Sequence, residues 1–178
     1  MRRHELERLG IQLPVLATIV LGGLPGRPGW AARLDRLGLD VVGSGAAADT
    51  PETWSAARTT APLRVVKAVA GDADALAAAG CSLIETAGAV PAGVYRLGPE
   101  ESLVAAVDGA SQAVEDPNDV AAAVVVALGA APPAALWACA SAGLDAHSPE
   151  VGEAKVVALV EGVRLARLLL AKEQFERE

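Results

Sequence analysis

The sequence predicts an α/β protein with a parallel sheet, and two observations carry this prediction. Short apolar runs alternate with alanine-rich segments of helical spacing, a pattern typical of βα units. Hydrophobic residues make up 52% of the chain and aromatic residues only 3%, so Ala, Val and Leu must build the core. A chain of 178 residues is long enough for one such core, and we expect a single domain over 1–178 with an extension at 1–12 and a charged tail at 171–178.

The apolar runs predict six strands. They are expected at 14–22, 39–45, 63–70, 81–87, 102–110 and 135–140. The segment 87–101 has the composition of a loop, with room for one further short strand at 94–97.

Helices are predicted between the strands from local start and stop signals. The first spans 30–37, and a later one spans 119–129. Between these two, Thr50 is a good N-cap with proline directly after it, so a helix should run from there to about Thr59. A short helix capped by Asp72 or Asp74 should end at Gly80.

The last predicted helix starts at Ser148 and is about 25 residues long. Its apolar residues recur at helical spacing and should face the core: Val156, Leu159, Val160, Val163 and Leu170. Its charged residues are expected on the opposite side: Glu153, Lys155, Glu161, Arg164 and Arg167.

Charge and cysteine content exclude several classes of protein. The formal net charge is −7, whereas a nucleic-acid-binding protein presents a basic face, so we expect no nucleic-acid partner. The N-terminus is a poor secretory signal, and no run of 18 apolar residues exists to span a membrane. Cys81 and Cys139 lie in apolar strands and are interpreted as small buried thiols. We therefore expect a reduced, cytoplasmic protein.

Six segments are similar, in collinear order, to motifs of one enzyme family. They are LGGLPGRP (21–28), GLDVVGSGA (38–46), the strand at 62–67, LAAAGCSLIETAGAV (76–90), LVAAVDGASQAVEDPNDV (103–120) and the segment that begins LWACASAGLD (136–167). Over most of residues 14–170 the chain resembles the catalytic C-terminal barrel of cobalamin-independent methionine synthase. The resemblance implies a TIM-barrel-like fold and a methyltransferase that acts on a thiol acceptor.

The chain departs from this family where the family binds zinc. The family's ligands are a His-x-Cys pair, a Glu and a late Cys, and the metal lowers the pKa of the acceptor thiol. Ala142 stands at the position of the late Cys. About a dozen residues separate Val90 from Ser102, which is too few for two βα units. We therefore expect a shortened or incomplete parallel β-barrel of about six βα units.

No zinc site is predicted for this chain alone. His4 and His147 are its only histidines, and neither stands in an H-x-C context. Zinc would require a partner chain or a rearranged site built from scattered residues such as Cys139, His147 and Glu85.

The family's carboxylates for an amino-acid substrate are also replaced. Ala87-Gly88, Gly45-Ala46 and Gly23 stand where the resemblance would place the acids and the serine. A homocysteine pocket is therefore not preserved, and some other small-molecule ligand is left open.

Three ionisable residues remain at predicted strand ends, and they are our candidate catalytic residues: Asp108, Lys67 and Glu85. The carboxyl ends of barrel strands face the active-site mouth, so these side chains should converge there and support proton transfer or hold an anion. Asp108 is the strongest candidate because it follows an otherwise apolar strand. The alternative is a buried structural ion pair or solvated loop charges.

Two functions stay open. The first is a methionine-synthase-like methyltransferase with the zinc and homocysteine ligands missing. The second is a non-catalytic pseudoenzyme, or a barrel subunit completed by a partner chain. An incomplete barrel leaves strand edges that proteins normally cover, so we expect a homo- or hetero-oligomer. An unrelated doubly wound α/β protein is a third interpretation, and a flat sheet would favour it.

Overall fold

The computed structural model describes residues 3–26, 29–69, 71–98 and 103–175. The strands are β1 (Ala17–Val20), β2 (Val41–Val42), β3 (Val65–Val66), β4 (Ala68–Val69), β5 (Leu83–Glu85), β6 (Tyr95–Leu97), β7 (Leu103–Val107) and β8 (Trp137–Ala140). The α-helices are α1 (Arg3–Arg8), α2 (Trp30–Leu37), α3 (Pro51–Thr60), α4 (Ala73–Ala78), α5 (Pro117–Ala127) and α6 (Pro149–Phe175). The predicted α/β class is confirmed, and Ala70 and Ser102, at two predicted strand ends, lie outside the described residues.

The helix boundaries follow from the local signals in the sequence. Thr50 caps α3: its hydroxyl accepts the Thr53 N–H at 3.3 Å, and the Thr53 hydroxyl accepts the Thr50 N–H at 2.9 Å. Asp72 caps α4 by accepting the N–H groups of Asp74 and Ala75. Gly38 ends α2 in the left-handed region at φ +87°, which glycine adopts without strain.

The strands form two parallel sheets. One has the order β3-β2-β1-β8-β7, and the other has the order β4-β5-β6. Only Lys67 separates β3 from β4, and its N–H donates to the Val42 carbonyl at 2.9 Å. The chain therefore leaves the first sheet and enters the second within one continuous extended segment. No ladder joins β6 to β7 among the residues that the structure describes, so no closed barrel is found.

Alternate residues of β1 and β8 face different apolar clusters. In β1, Ala17 and Ile19 belong to an inner cluster, whereas Val20 belongs to an outer cluster shared with the helices. In β8, Trp137 and Cys139 likewise face the inner cluster. Both faces of the sheets are thus covered, as parallel strands require.

The N-terminal extension contributes to the inner cluster, which the sequence patterns did not predict. Leu6 of α1 is 1% exposed, and Ile11 and Leu13 are also buried. All three pack with residues of β1, β5, β6 and β8.

The prediction that all charged residues of α6 face away from the core is wrong at Lys155. This side chain is completely buried on the same side of the helix as Val156 and Leu159. Burial is tolerated because its ammonium donates to the carbonyls of Asp108 and Ala113 and to the Glu115 carboxylate. None of the described helices, the 27-residue α6 included, is long and apolar enough to cross a membrane.

Candidate functional site

A pocket of about 630 Å³ opens beside the carboxyl ends of the parallel strands. Its described lining is mainly apolar, with one carboxylate and one hydroxyl, and consists of Leu21, Val69, Glu85, Thr86, Ala87, Leu97, Gly98 and Leu103. Clefts of this size and composition, at the ends of parallel strands, are where α/β proteins bind small molecules.

An ion pair between Lys67 and Glu85 lies against this pocket. Lys67 Nζ donates to Glu85 Oε2, and the lysine side chain is only 3% exposed. The other carboxylate oxygen, Oε1, accepts the backbone N–H of Gly22 at 2.8 Å. Gly22 adopts φ +68°, which turns the chain after β1. Glu85 is 19% exposed, so a ligand in the pocket can reach its carboxylate but not the lysine behind it.

Asp108 lies at the carboxyl end of β7 but is not part of this pair. Its Oδ1 accepts the N–H of Ala110 at 2.9 Å, so the carboxylate shapes the local turn, and the side chain is exposed. Its carbonyl oxygen accepts from Lys155 Nζ at 3.0 Å. The structure thus brings together Lys67 and Glu85, two of the three predicted site residues, and leaves Asp108 in a separate group.

That separate group is the buried Lys155–Glu115 ion pair. The Lys155 ammonium lies 3.0 Å from Glu115 Oε2, and Glu115 Oε1 accepts the backbone N–H of Asp108 at 2.9 Å. The pair holds α6 against the loop between β7 and α5. The sequence held one signal for it, since Glu115 lies in the segment 103–120 that resembles a family motif.

Asp49 is a second buried polar residue, and the sequence patterns did not predict its burial. It is 4% exposed, and its carboxylate accepts the Thr53 hydroxyl and the Val69 N–H, both at 2.9 Å, together with the hydroxyl of Ser44. These bonds hold the loop after β2 against β4, two residues beyond Lys67. An aspartate directly before a Thr-Pro helix start was the available signal.

The residues that the structure describes are not arranged to hold a zinc ion. Cys139 is completely buried and faces the inner cluster, and its Sγ lies 3.4 Å from the Val104 carbonyl. Burial, and then the negative charge of Glu85, raise the pKa of the Cys139 thiol to about 12, so the thiol is protonated at neutral pH. His147 Nε2 is engaged by the Gly109 carbonyl at 2.7 Å. Within the described ranges, no three His, Cys, Asp or Glu side chains gather as a metal site.

Comparisons with known proteins reveal a remote similarity to a solved structure. No protein-family model and no curated protein matches this chain. Among solved structures it is similar to a B12-independent methionine synthase from Shewanella sp. W3-18-1 in complex with selenomethionine, at 17% identity and a TM-score of 0.39. The match covers 80% of this chain and 52% of that structure, so the chain spans about half the length of the protein it matches.

Proposed function

We propose that this chain is a shortened methionine-synthase-like barrel that binds a small thiol at the carboxyl ends of its strands and transfers a methyl group to it. The observation that carries the proposal is the inward-facing Lys67–Glu85 ion pair against an open pocket of about 630 Å³. The collinear motifs of the sequence support the reaction class.

The strand order supports a barrel-like wall. Continuity through Lys67 links the two sheets into one series of parallel strands that begins at β7 and ends at β6. The inner cluster has members on β1, β2, β5, β6 and β8, as expected for a curved wall that encloses them. A flat doubly wound sheet would not gather these strands around one cluster.

The pocket favours a mainly apolar molecule with one hydrogen-bond donor. Leu21, Val69 and Leu97 supply apolar contact, and Glu85 is the one charged side chain of the described lining. Lys67 compensates the charge of that carboxylate from behind, so the site does not demand a cationic ligand. A thiol with an apolar body has the required shape and donor.

The pair supplies the proton chemistry that a thiol acceptor needs. Glu85 can accept the proton of the thiol, and the positive charge of Lys67, which lies behind the carboxyl group, then stabilises the thiolate without contacting it. The thiolate sulfur attacks the methyl carbon of the donor. The new C–S bond forms as the bond between the methyl group and the donor breaks, and the electron pair of the broken bond stays with the donor.

Asp108 stays a predicted site residue, to be tested as Asp108→Asn.

Mass spectrometry with an isotopically labelled methyl-folate donor, homocysteine and a set of small apolar thiols tests the proposal. We expect a methylated thiol from the native chain and a loss of about 100-fold or more for Glu85→Gln, because the proton acceptor is removed. The exposed Asp74→Asn is the matched charge control and should retain activity. Thiol binding without methyl transfer would contradict the methyltransferase and leave the non-catalytic function. Absence of both would contradict the site itself.

A further inference from the structure

One face of α6 carries exposed side chains at the spacing of a coiled coil. Glu161, Leu165, Leu168, Lys172 and Phe175 follow one another at intervals of four, three, four and three residues. Positions a and d of a heptad repeat have this spacing, and they line one side of a helix that pairs with another. We call these five residues the α6 seam.

The seam is exposed although it is largely apolar. Leu165 is 37% exposed, Leu168 is 60% exposed and Phe175 is 84% exposed, and the adjacent Leu169 is 50% exposed. The other side of the helix already packs on the core through Val156, Leu159, Val163 and Ala166. The helix therefore has two apolar faces, and only one of them packs against the rest of the described chain.

The charges at the two ends of the seam indicate which partner fits it. Glu161 precedes Leu165 by four residues, and Lys172 follows Leu168 by four residues. When two copies lie antiparallel with Leu165 of one against Leu168 of the other, Glu161 of each copy faces Lys172 of the other. A parallel pair would instead set Glu161 against Glu161 and Lys172 against Lys172, which is repulsive.

We propose that the α6 seam docks on the same seam of a second copy of this chain, as a short antiparallel coiled coil. In this register the overlap runs from Glu161 to Lys172, with Phe175 beyond it, and spans roughly 17 Å at about 1.5 Å per residue. The contact is therefore short and the dimer is weak, with a dissociation constant in the micromolar range or above. This dimer does not depend on the proposed methyl transfer, because the seam includes no residue of the pocket.

Sedimentation velocity of the full chain across a concentration series tests the dimer. We expect a shift from monomer to dimer as concentration rises, and an increase of about tenfold or more in the dissociation constant for Leu168→Glu, which buries two carboxylates in the seam. Leu168 is exposed in the monomer, so this variant should fold, as circular dichroism will verify. Leu63→Glu is the matched control, since Leu63 is 94% exposed and lies outside the seam.

A charge swap tests the antiparallel register. Glu161→Lys and Lys172→Glu should each weaken the dimer, and the double variant should restore it, because each new lysine again faces a glutamate. A chain that stays monomeric up to about 1 mM, or a dimer unaffected by Leu168→Glu, would overturn the proposal. Failure of the double variant to restore dimerisation would overturn the register.

Discussion

Two lysines of this chain are buried, and their surroundings give them different roles. Lys67 has Glu85 between its ammonium and an open pocket, so its charge can act on a bound molecule through that carboxylate. Lys155 is surrounded by two carbonyl oxygens and the carboxylate of Glu115, away from the pocket lining. The Lys67–Glu85 pair is therefore the candidate catalytic pair, whereas the Lys155–Glu115 pair has a structural role.

Removal of the Lys155 ammonium should destabilise the fold without changing the pocket. Lys155→Met leaves the Glu115 carboxylate and two carbonyls without their donor, and we expect a loss of about 2–4 kcal/mol in the free energy of unfolding. Urea denaturation measures this loss. Arg164→Met, at an exposed position of the same helix, is the control and should stay within about 0.5 kcal/mol of the native chain. A Lys155→Met variant as stable as the native chain would show that the Lys155–Glu115 ion pair contributes nothing to the free energy of unfolding.

The buried thiol of Cys139 should make stability fall at alkaline pH. Burial raises the pKa of Cys139 in the folded chain to about 12, from an ordinary value near 9.0. The folded state therefore binds more protons than the unfolded state between these two values, and its stability decreases as pH rises through them. Cys81 contributes in the same direction, because burial raises the pKa of its thiol as well. As the pH rises from about 8 to about 10.5, the free energy of unfolding should fall less for Cys139→Ala than for the native chain. Equal losses in urea titrations of the two proteins would contradict the assignment.

At the scale of elements, α5 and α6 pack closely because Gly162 lets them approach. A Cβ added at Gly162 would lie 2.5 Å from Val120 side-chain atoms and 2.7 Å from the Pro117 carbonyl oxygen. No side chain fits there unless the helices separate. The glycine is thus explained by packing, although it weakens the helix locally.

Gly162→Ala should therefore destabilise the chain despite the better helix propensity of alanine. The gain in propensity is about 1 kcal/mol, and the overpacking costs about 1–3 kcal/mol, so we expect a small net loss. Thermal unfolding measures it, with Arg164→Ala as an exposed control on the same helix. A higher melting temperature for Gly162→Ala would show that the helices have room to separate.

The starts of α3 and α4 could be predicted from the sequence because their causes are local, whereas α5, predicted at 119–129, spans Pro117–Ala127. Thr50 and Asp72 form caps with residues within three positions. The division into two sheets at Lys67 could not be predicted, because it depends on which distant strands pair with β3 and β4. Burial of Lys155 also depends on distant groups, since its acceptors lie 40 or more residues away in the chain. Placement at the carboxyl ends of predicted strands was enough to bring Lys67 and Glu85 together, but it did not reveal the turn that engages Asp108.

For the molecule as a whole, one arrangement of strands and pocket defines the candidate site. Residues of the parallel strands contribute to an apolar inner cluster, and the pocket beside the strand ends is lined by one partly exposed carboxylate, that of Glu85. Pocket access can be changed without disturbing the core, because Ala87 is exposed and lines this pocket. Ala89 is also exposed, but it lines a different pocket, which makes it the matched control position.

The most direct test is a nuclear magnetic resonance titration of the chain with a small apolar thiol, observed at the backbone amides. The Gly22 N–H donates to Glu85, so it reports on any ligand that reaches the carboxylate. We predict shifts at Gly22, Thr86 and Gly98 in the native chain and in Ala89→Trp, and their loss in Ala87→Trp. Shifts confined to other regions, or unchanged by Ala87→Trp, would contradict the claim that the pocket at Glu85 is the binding site.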